Sequence, residues 1–183
     1  MEPSIRNQEN AKETVKAQAN EAQGLRDLFE VGLKDIYYAE KVLSKSIPKM
    51  VENATSPELV NALKNHLTET EQQVSRLEEI FASTGIKPEA KKCEAMEGLI
   101  KESNLIMNAS KAGNVRDAGI IASGQKMKHY EIATYGTLQA FANTLGESKA
   151  AEMLAMTLNE AKRTDAALTG IALSNINTNA ATI

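Results

Sequence analysis

Two glutamates stand where an amphipathic helix should be dry. Glu40 follows Ile36 by four residues and precedes Leu43 by three; Glu131 follows Met127 by four and precedes Leu138 by seven. A carboxylate on an apolar stripe is costly unless something pairs with it. Two that face each other either raise a pKa or share a cation. Inward glutamates from separate helices are how helical bundles hold two hard or borderline metal ions. The competing reading places each glutamate at a stripe edge, reaching water or pairing with a lysine.

Other candidate ligands cluster around this pair. His66 and Glu69 are spaced i, i+3, on neighbouring faces of one helix, and can chelate one ion. Counted from a turn near Thr55, they lie within about one helical turn of the height of Glu40. The same count around Gly146 sets Glu131 level with Ala161, between Glu160 and Asp165. Strict periodicity turns Asp165 inward, on the stripe from Ala161 to Leu168, and turns Glu160 away. His129, two residues before Glu131, points to a different face and suits a supporting or surface position. Tyr37, Tyr38, Tyr130 and Tyr135 lie near these acids in sequence and suit packing with a polar tip. Glu97 and Glu102 could cap an open end of the site or form a solvated face. Cys93, the single cysteine, has no base pattern around it and reads as a plain thiol. There is no phosphate loop, zinc-type CxxC or nucleophile elbow.

The elements that must position these residues are helical. Ala, Leu, Glu, Lys, Met and Gln dominate, all good helix formers. The first segment, 25–53, repeats Leu25, Phe29, Leu33, Ile36, Leu43, Ile47 and Met50 at the spacing of one buried face. Pro48 is expected to kink it. The second opens at Ser56-Pro57, an N-cap followed by proline, carries Leu59, Leu63, Leu67, Val74, Leu77 and Phe81, and stops at Gly85. A connection over 86–114 holds a shorter amphipathic stretch with Met96, Leu99, Ile100 and Ile106. The third segment covers 115–145 with Ile120, Met127, Leu138, Phe141 and Leu145. The fourth covers 148–175 with Leu154, Leu158, Ala161, Leu168 and Ala172, near an a/d heptad. Short links make each pair an antiparallel hairpin, and the long middle link can cross a bundle roughly 42 Å tall. The fold expected is all-α: a ferritin-like four-helix bundle, two antiparallel hairpins joined by a long crossover containing a short helix. Residues 1–23 read as a loose or marginally helical arm, 24–176 as the bundle, and 177–183 as a frayed tail.

The two halves echo each other. A shift of 91 residues (131 − 40 = 91) carries Glu40 onto Glu131, Glu69 onto Glu160, and Leu63, Leu67 and Leu77 onto Leu154, Leu158 and Leu168. This repeat favours Glu160 as the inward acid, against the periodicity that favours Asp165, and both stay open. The 183 residues suit one domain, and the net charge of −3 is spread without a basic face for nucleic acid or lipid. Tryptophan is absent, which argues against stacking platforms for single strands. Residues 1–22 lack the apolar segment of a secretion signal, and no run is long enough to span a membrane.

The stretches LKDIYYAEKVLSKSIPKM, HLTETEQQVSRLEEIF, KKCEAMEGLI, KHYEIATYGTL and LNEAKRTDAAL, spread over 25–173, resemble the YciE/YciF family of bacterial stress-associated ferritin-like proteins. The resemblance implies a rubrerythrin-like bundle, a homodimer, a cytoplasmic place and a two-metal site of iron or manganese. The positions matching the family's motifs are Glu40, His66, Glu69, His129, Glu131, Glu160 and Asp165. One departure matters. Ferritins and rubrerythrins present E-x-x-H on their second and fourth helices, whereas this chain has His66-x-x-Glu69 and Glu160-x-x-Arg163. Two functions follow: a di-iron or di-manganese protein handling peroxide, oxygen or iron during stress, or a non-catalytic bundle acting as a structural or interaction module.

Overall fold

The computed structural model describes residues 22–182. Among them all regular structure is helical: α1 is Leu25–Asn53, α2 Pro57–Thr84, α3 Glu94–Ala109, α4 Asn114–Thr144 and α5 Ser148–Ile171. A wide π-helical turn, Ala172–Ile176, joins α5 to α6, Asn177–Ala181. The N-terminal arm, except for residues 22 and 23, lies outside the described residues. No helix among the described residues is long and apolar enough to cross a membrane.

The helices form where the sequence patterning places them. In α1, Phe29, Leu33, Ile36, Leu43, Ile47 and Met50 are all fully buried, the single face that a 3.6-residue period requires. The helix runs on through Pro48, which lies on the exposed side, to Asn53. Ser56 caps α2 by accepting the Leu59 N–H at 3.4 Å, and Pro57 occupies the first helical position, where no N–H is needed. Gly85 ends α2 at φ 67°, a left-handed conformation that costs glycine nothing.

α1 packs on α2, α4 on α5, α2 on α5 and α1 on α4, while α3 lies against α1 and α4. Gly119 lets α3 approach α4 closely, since a Cβ there would stand 2.6 Å from the Ile106 side chain. At one end, the Arg26 guanidinium donates to the Thr84 carbonyl at 2.6 Å and to the Glu147 carboxylate. This ties the start of α1 to the end of α2 and the approach to α5. At the opposite end the fully buried Asp117 of α4 accepts three hydrogen bonds from the α1–α2 turn. They come from the Thr55 N–H at 2.8 Å, the Thr55 hydroxyl at 2.7 Å and the Ser56 N–H at 2.8 Å. Bonds to an ionised acceptor are the strong ones, and removing the acceptor strands buried donors. Asp117→Ala should therefore cost about 2–3 kcal/mol and lower the melting temperature by roughly 5–10 °C. Asp117→Asn should lose less. An unchanged melting temperature in the alanine variant would rule out this clasp.

The chain's C-terminal part departs from the sequence reading. The fourth helix does not continue regularly to Asn175: α5 stops at Ile171 and the backbone widens into the π-helical turn. Nor is the segment from Asn177 a frayed tail, since Asn177–Ala181 are helical. The extra residue in the wide turn rotates the buried face, so that Ala172 and Ile176 both reach the core. Their burial anchors a segment whose polar sequence gives no such signal.

Candidate metal centre

The middle of the molecule is polar. Glu40 of α1, His66, Thr70 and Gln73 of α2, and Lys128, Glu131 and Tyr135 of α4 are all at most 1% exposed. On α2 the buried stripe runs Leu63, His66, Thr70, Gln73, Leu77, so three polar residues replace apolar ones over two turns. Leu67 and Val74, expected in the core, are only partly buried.

Each acid has a specific partner. Lys128 and Glu131 form an ion pair of 2.5 Å with both side chains fully buried, one turn apart on α4. Tyr135 donates its hydroxyl to Glu40 Oε1 at 2.7 Å. Glu160 is held on two sides: Arg76 donates to both its oxygens at 2.8 and 2.9 Å, and Gln73 donates at 3.0 Å. Glu69 accepts the Thr164 hydroxyl at 2.8 Å. The 91-residue repeat reappears here, because position 73 shifts onto 164 (73 + 91 = 164) as 69 shifts onto 160. The Glu69–Thr164 contact is thus the counterpart of the Gln73–Glu160 contact. Lys128, His66 and Arg76 have no like residue at the shifted positions and break the symmetry.

Other buried polar atoms have no hydrogen-bond partner among the described residues: Glu40 Oε2, Glu131 Oε1, both ring nitrogens of His66, the Thr70 hydroxyl and Gln73 Oε1. Burial and the charge of Glu131 push the Glu40 carboxyl up to about 8, against the opposing pull of Lys128 and Tyr135. Burial likewise raises Glu131, with Lys128 working against it. His66 is driven well below its ordinary value by burial and then by the charge of Lys128, so it stays neutral with a lone pair free to coordinate. Burial pushes Glu160 up, but the bonds from Arg76 and Gln73 outweigh it, and the carboxyl lies below its ordinary value. A crevice of about 210 Å³ between α2 and α5 is lined by Asn65, His66, Glu69, Arg163 and Thr164, among others. His66 is therefore both part of the buried centre and part of the crevice wall.

The sequence candidates thus divide. Glu40, Glu131 and His66 meet in the interior, with Glu69 and Glu160 at its edge. Glu160 rather than Asp165 is the α5 acid whose charge reaches Glu40. Periodicity and the repeat each pick out one of two inward faces, because α5 packs on α2 and on α4 at once. Asp165 looks toward α4, where it meets His129 at 3.4 Å and Gln125 at 3.4 Å, and His129 is 68% exposed. Glu97 accepts from Tyr38 at 2.5 Å and Glu102 pairs with Lys126 at the surface, so neither caps the centre. Tyr130 bridges the buried Cys93 and Asp35, joining α3 to α1 and α4. Sequence reasoning missed Lys128 and Arg76. Lys128 had a signal: it stands one turn before Glu131 and one turn after Gly124 on the same buried face.

The donor types suit a transition metal: two carboxylates and a neutral imidazole. Among the described residues, however, no three His, Cys, Asp or Glu side chains already stand in metal-holding geometry. Two cations of the chain itself stand at the centre instead. Lys128 neutralises Glu131, and Arg76 neutralises Glu160 with a bidentate grip. Glu160 is therefore committed, whereas Glu40, Glu131 and His66 each retain an unpartnered donor atom.

Residues 24–181 match a family described as a domain of unknown function, DUF892. The chain is 42% identical over 154 residues to the protein YciF of Escherichia coli strain K12, covering 84% of this chain and 93% of that one. The crystal structure of the E. coli stress protein YciF aligns at a TM-score of 0.82 and 41% identity, covering 85% of this chain and 99% of the other. YcfI from Rhodopseudomonas palustris, for which a structural role has been suggested, aligns at a TM-score of 0.82 and 41% identity over 86% of this chain and 100% of its own.

Proposed function

Since the chain belongs to the DUF892 family, whose description assigns no activity, we propose from the geometry of its centre that it is a stress-associated, ferritin-like protein binding one iron or manganese ion. In this reading α1–α2 and α4–α5 are the two antiparallel hairpins of a four-helix bundle, and α3 lies on the long crossover between them. The description of the E. coli relative as a stress protein supports the biological setting. The observation behind the chemistry is that Glu40 of α1, His66 of α2 and Glu131 of α4, all buried, each keep a donor atom without a hydrogen-bond partner among the described residues. Buried carboxylates and an imidazole left without partners are expensive, and a divalent ion would relieve that cost once the side chains close on it.

Glu40 and Glu131 would hold the ion from the neighbouring helices α1 and α4, with His66 as the nitrogen ligand and Glu69 close by at the crevice. Bound there, the metal would supply Lewis acidity and redox chemistry toward a small oxidant such as peroxide or oxygen. Tyr135 would orient Glu40 through its hydroxyl. The hydrocarbon around the centre, including Leu63, Met127 and Leu138, excludes bulk water. The crevice at His66 and Glu69 is wide enough for a solute of a few atoms. Arg76 would keep Glu160 out of the ligand set, which departs from the two-ion site expected from the resemblance.

A second reading rests on a specific observation too. With Lys128 paired to Glu131, Arg76 paired to Glu160 and the raised Glu40 carboxyl keeping its proton at neutral pH, the central charges are already balanced, as a purely structural or interaction module would need. Elemental analysis of protein from iron- or manganese-fed cells separates the two. The metal reading expects close to one ion per chain and a metal-dependent rise in melting temperature. Protein that stays empty after anaerobic Fe(II) and Mn(II) titration, with an unmoved melting temperature, would sink it in favour of the structural one.

A further inference from the structure

We propose that Lys128 is a built-in competitor for the cation site: its ammonium occupies Glu131 while the centre is empty and must withdraw for a metal ion to bind. The inference rests on the metal reading above and deepens it.

Three observations carry it. First, Lys128 is fully buried and its Nζ lies 2.5 Å from Glu131 Oε2. The two residues share one helix at i, i+3, so the backbone sets the two side chains side by side. Second, the ammonium serves the centre badly. It has three N–H donors, yet among the described residues it donates only to Glu131 Oε2. Glu131 Oε1, Glu40 Oε2 and both His66 nitrogens keep no hydrogen-bond partner there. A single-point donor cannot reach acceptors on three helices, whereas a metal ion accepts several donor atoms at once. Third, charge forbids both cations together. One ammonium offsets one carboxylate, and a divalent ion offsets both Glu40 and Glu131. An ion added beside Lys128 would leave three positive charges against two negative ones in a dry interior.

The ammonium also has somewhere to go. The charge of Lys128 is felt at His66, and His66 forms part of the crevice that also holds Glu69. A lysine side chain has the reach and flexibility to pivot, and the Glu69 carboxylate can receive it. Binding of the metal is then an exchange of counter-ions, and its affinity reports the cost of breaking the lysine pair.

The test uses the full chain, stripped with a chelator and titrated with Mn(II) by calorimetry and by dialysis with elemental analysis. Lys128→Gln removes the competing charge and should bind Mn(II) at least tenfold more tightly than the unmodified protein. Lys128→Arg keeps the charge and should bind no more tightly than the unmodified protein. Binding by Lys128→Gln alone would also establish competition, in its strongest form. Equal affinities for the unmodified and Lys128→Gln proteins would overturn the competition while leaving the metal reading standing. A tenfold gain in the arginine variant would overturn it too, because charge would not be the cause. Failure of every form to bind would overturn both. Should Lys128→Gln prove too unstable to isolate empty, refolding with and without Mn(II) gives the answer: rescue by the metal supports the exchange, and no rescue overturns it.

Discussion

Glu131→Leu should destabilise the metal-free protein by about 3–5 kcal/mol, and Lys128→Met by a similar amount, whereas the double variant should regain most of the loss. The ion pair is fully buried at both ends, so either single substitution leaves an uncompensated charge in a dry interior. Removing both charges together leaves a methionine and a leucine of comparable volume in a helical core, which such cores tolerate well. For a chain of this size the single variants should melt roughly 10 °C lower or more. Thermal unfolding of the four proteins in a chelating buffer completes a double-mutant cycle. Single losses below about 1 kcal/mol, or a double variant as unstable as the sum of the singles, would mean that the pair does not form. The cycle is informative because a surface lysine–glutamate pair gives almost no coupling.

The second large effect is a dependence on pH set by Glu40. Its carboxyl is raised to about 8 from an ordinary 4.5, first by burial and then by Glu131. A raised acid binds its proton more tightly folded than unfolded. Its contribution to stability is therefore intact below pH 4.5, falls as pH rises toward 8, and levels off beyond that. The span corresponds to on the order of 5 kcal/mol as an upper figure. Glu40→Gln imitates the protonated acid and still accepts from Tyr135. Without metal, the variant should melt close to the unmodified protein at pH 5 and clearly above it at pH 9. His66 acts in the opposite direction. Its value is lowered by burial, so it costs stability as pH falls below the ordinary 6.5. A melting difference between Glu40→Gln and the unmodified protein that is the same at pH 5 and pH 9 would refute the raised carboxyl. With metal bound the high-pH loss should disappear, because the ion then holds the ionised form.

Both expectations concern one arrangement, in which an interior that could coordinate a metal is held by the chain's own cations. In the proposed exchange, the centre works as a metal site or as a self-neutralised core according to how readily Lys128 yields. A one-turn ion pair along α4 is an economical way to set that balance. It needs no partner helix to move, only one side chain.

The sequence alone determined the helices and much of the interior. Periodicity placed α1 and the limits of α2 to the residue because Ser56, Pro57 and Gly85 are local signals that act within one turn of chain. The apolar spacing identified Phe29, Leu33, Leu63 and Leu77 as core because burial of one helix face follows from the 3.6-residue period. Glu40 and Glu131 were legible for the same reason: an acid out of place on a stripe is visible before any fold is known. What only the tertiary structure decided was which groups answer those acids. Arg76 reaches Glu160 from 84 residues away, and Tyr135 reaches Glu40 from 95. No local rule couples such positions. The choice of Glu160 over Asp165 needed the docking of α5 against α2 as well as α4, since a helix with two neighbours has two inward faces. Burial of Lys128 likewise required the surrounding helices, because a lysine on a stripe is free to swing to water until packing closes around it. Ion pairs in an interior are long-range facts, fixed by which helices meet, and the spacing along one helix cannot encode them.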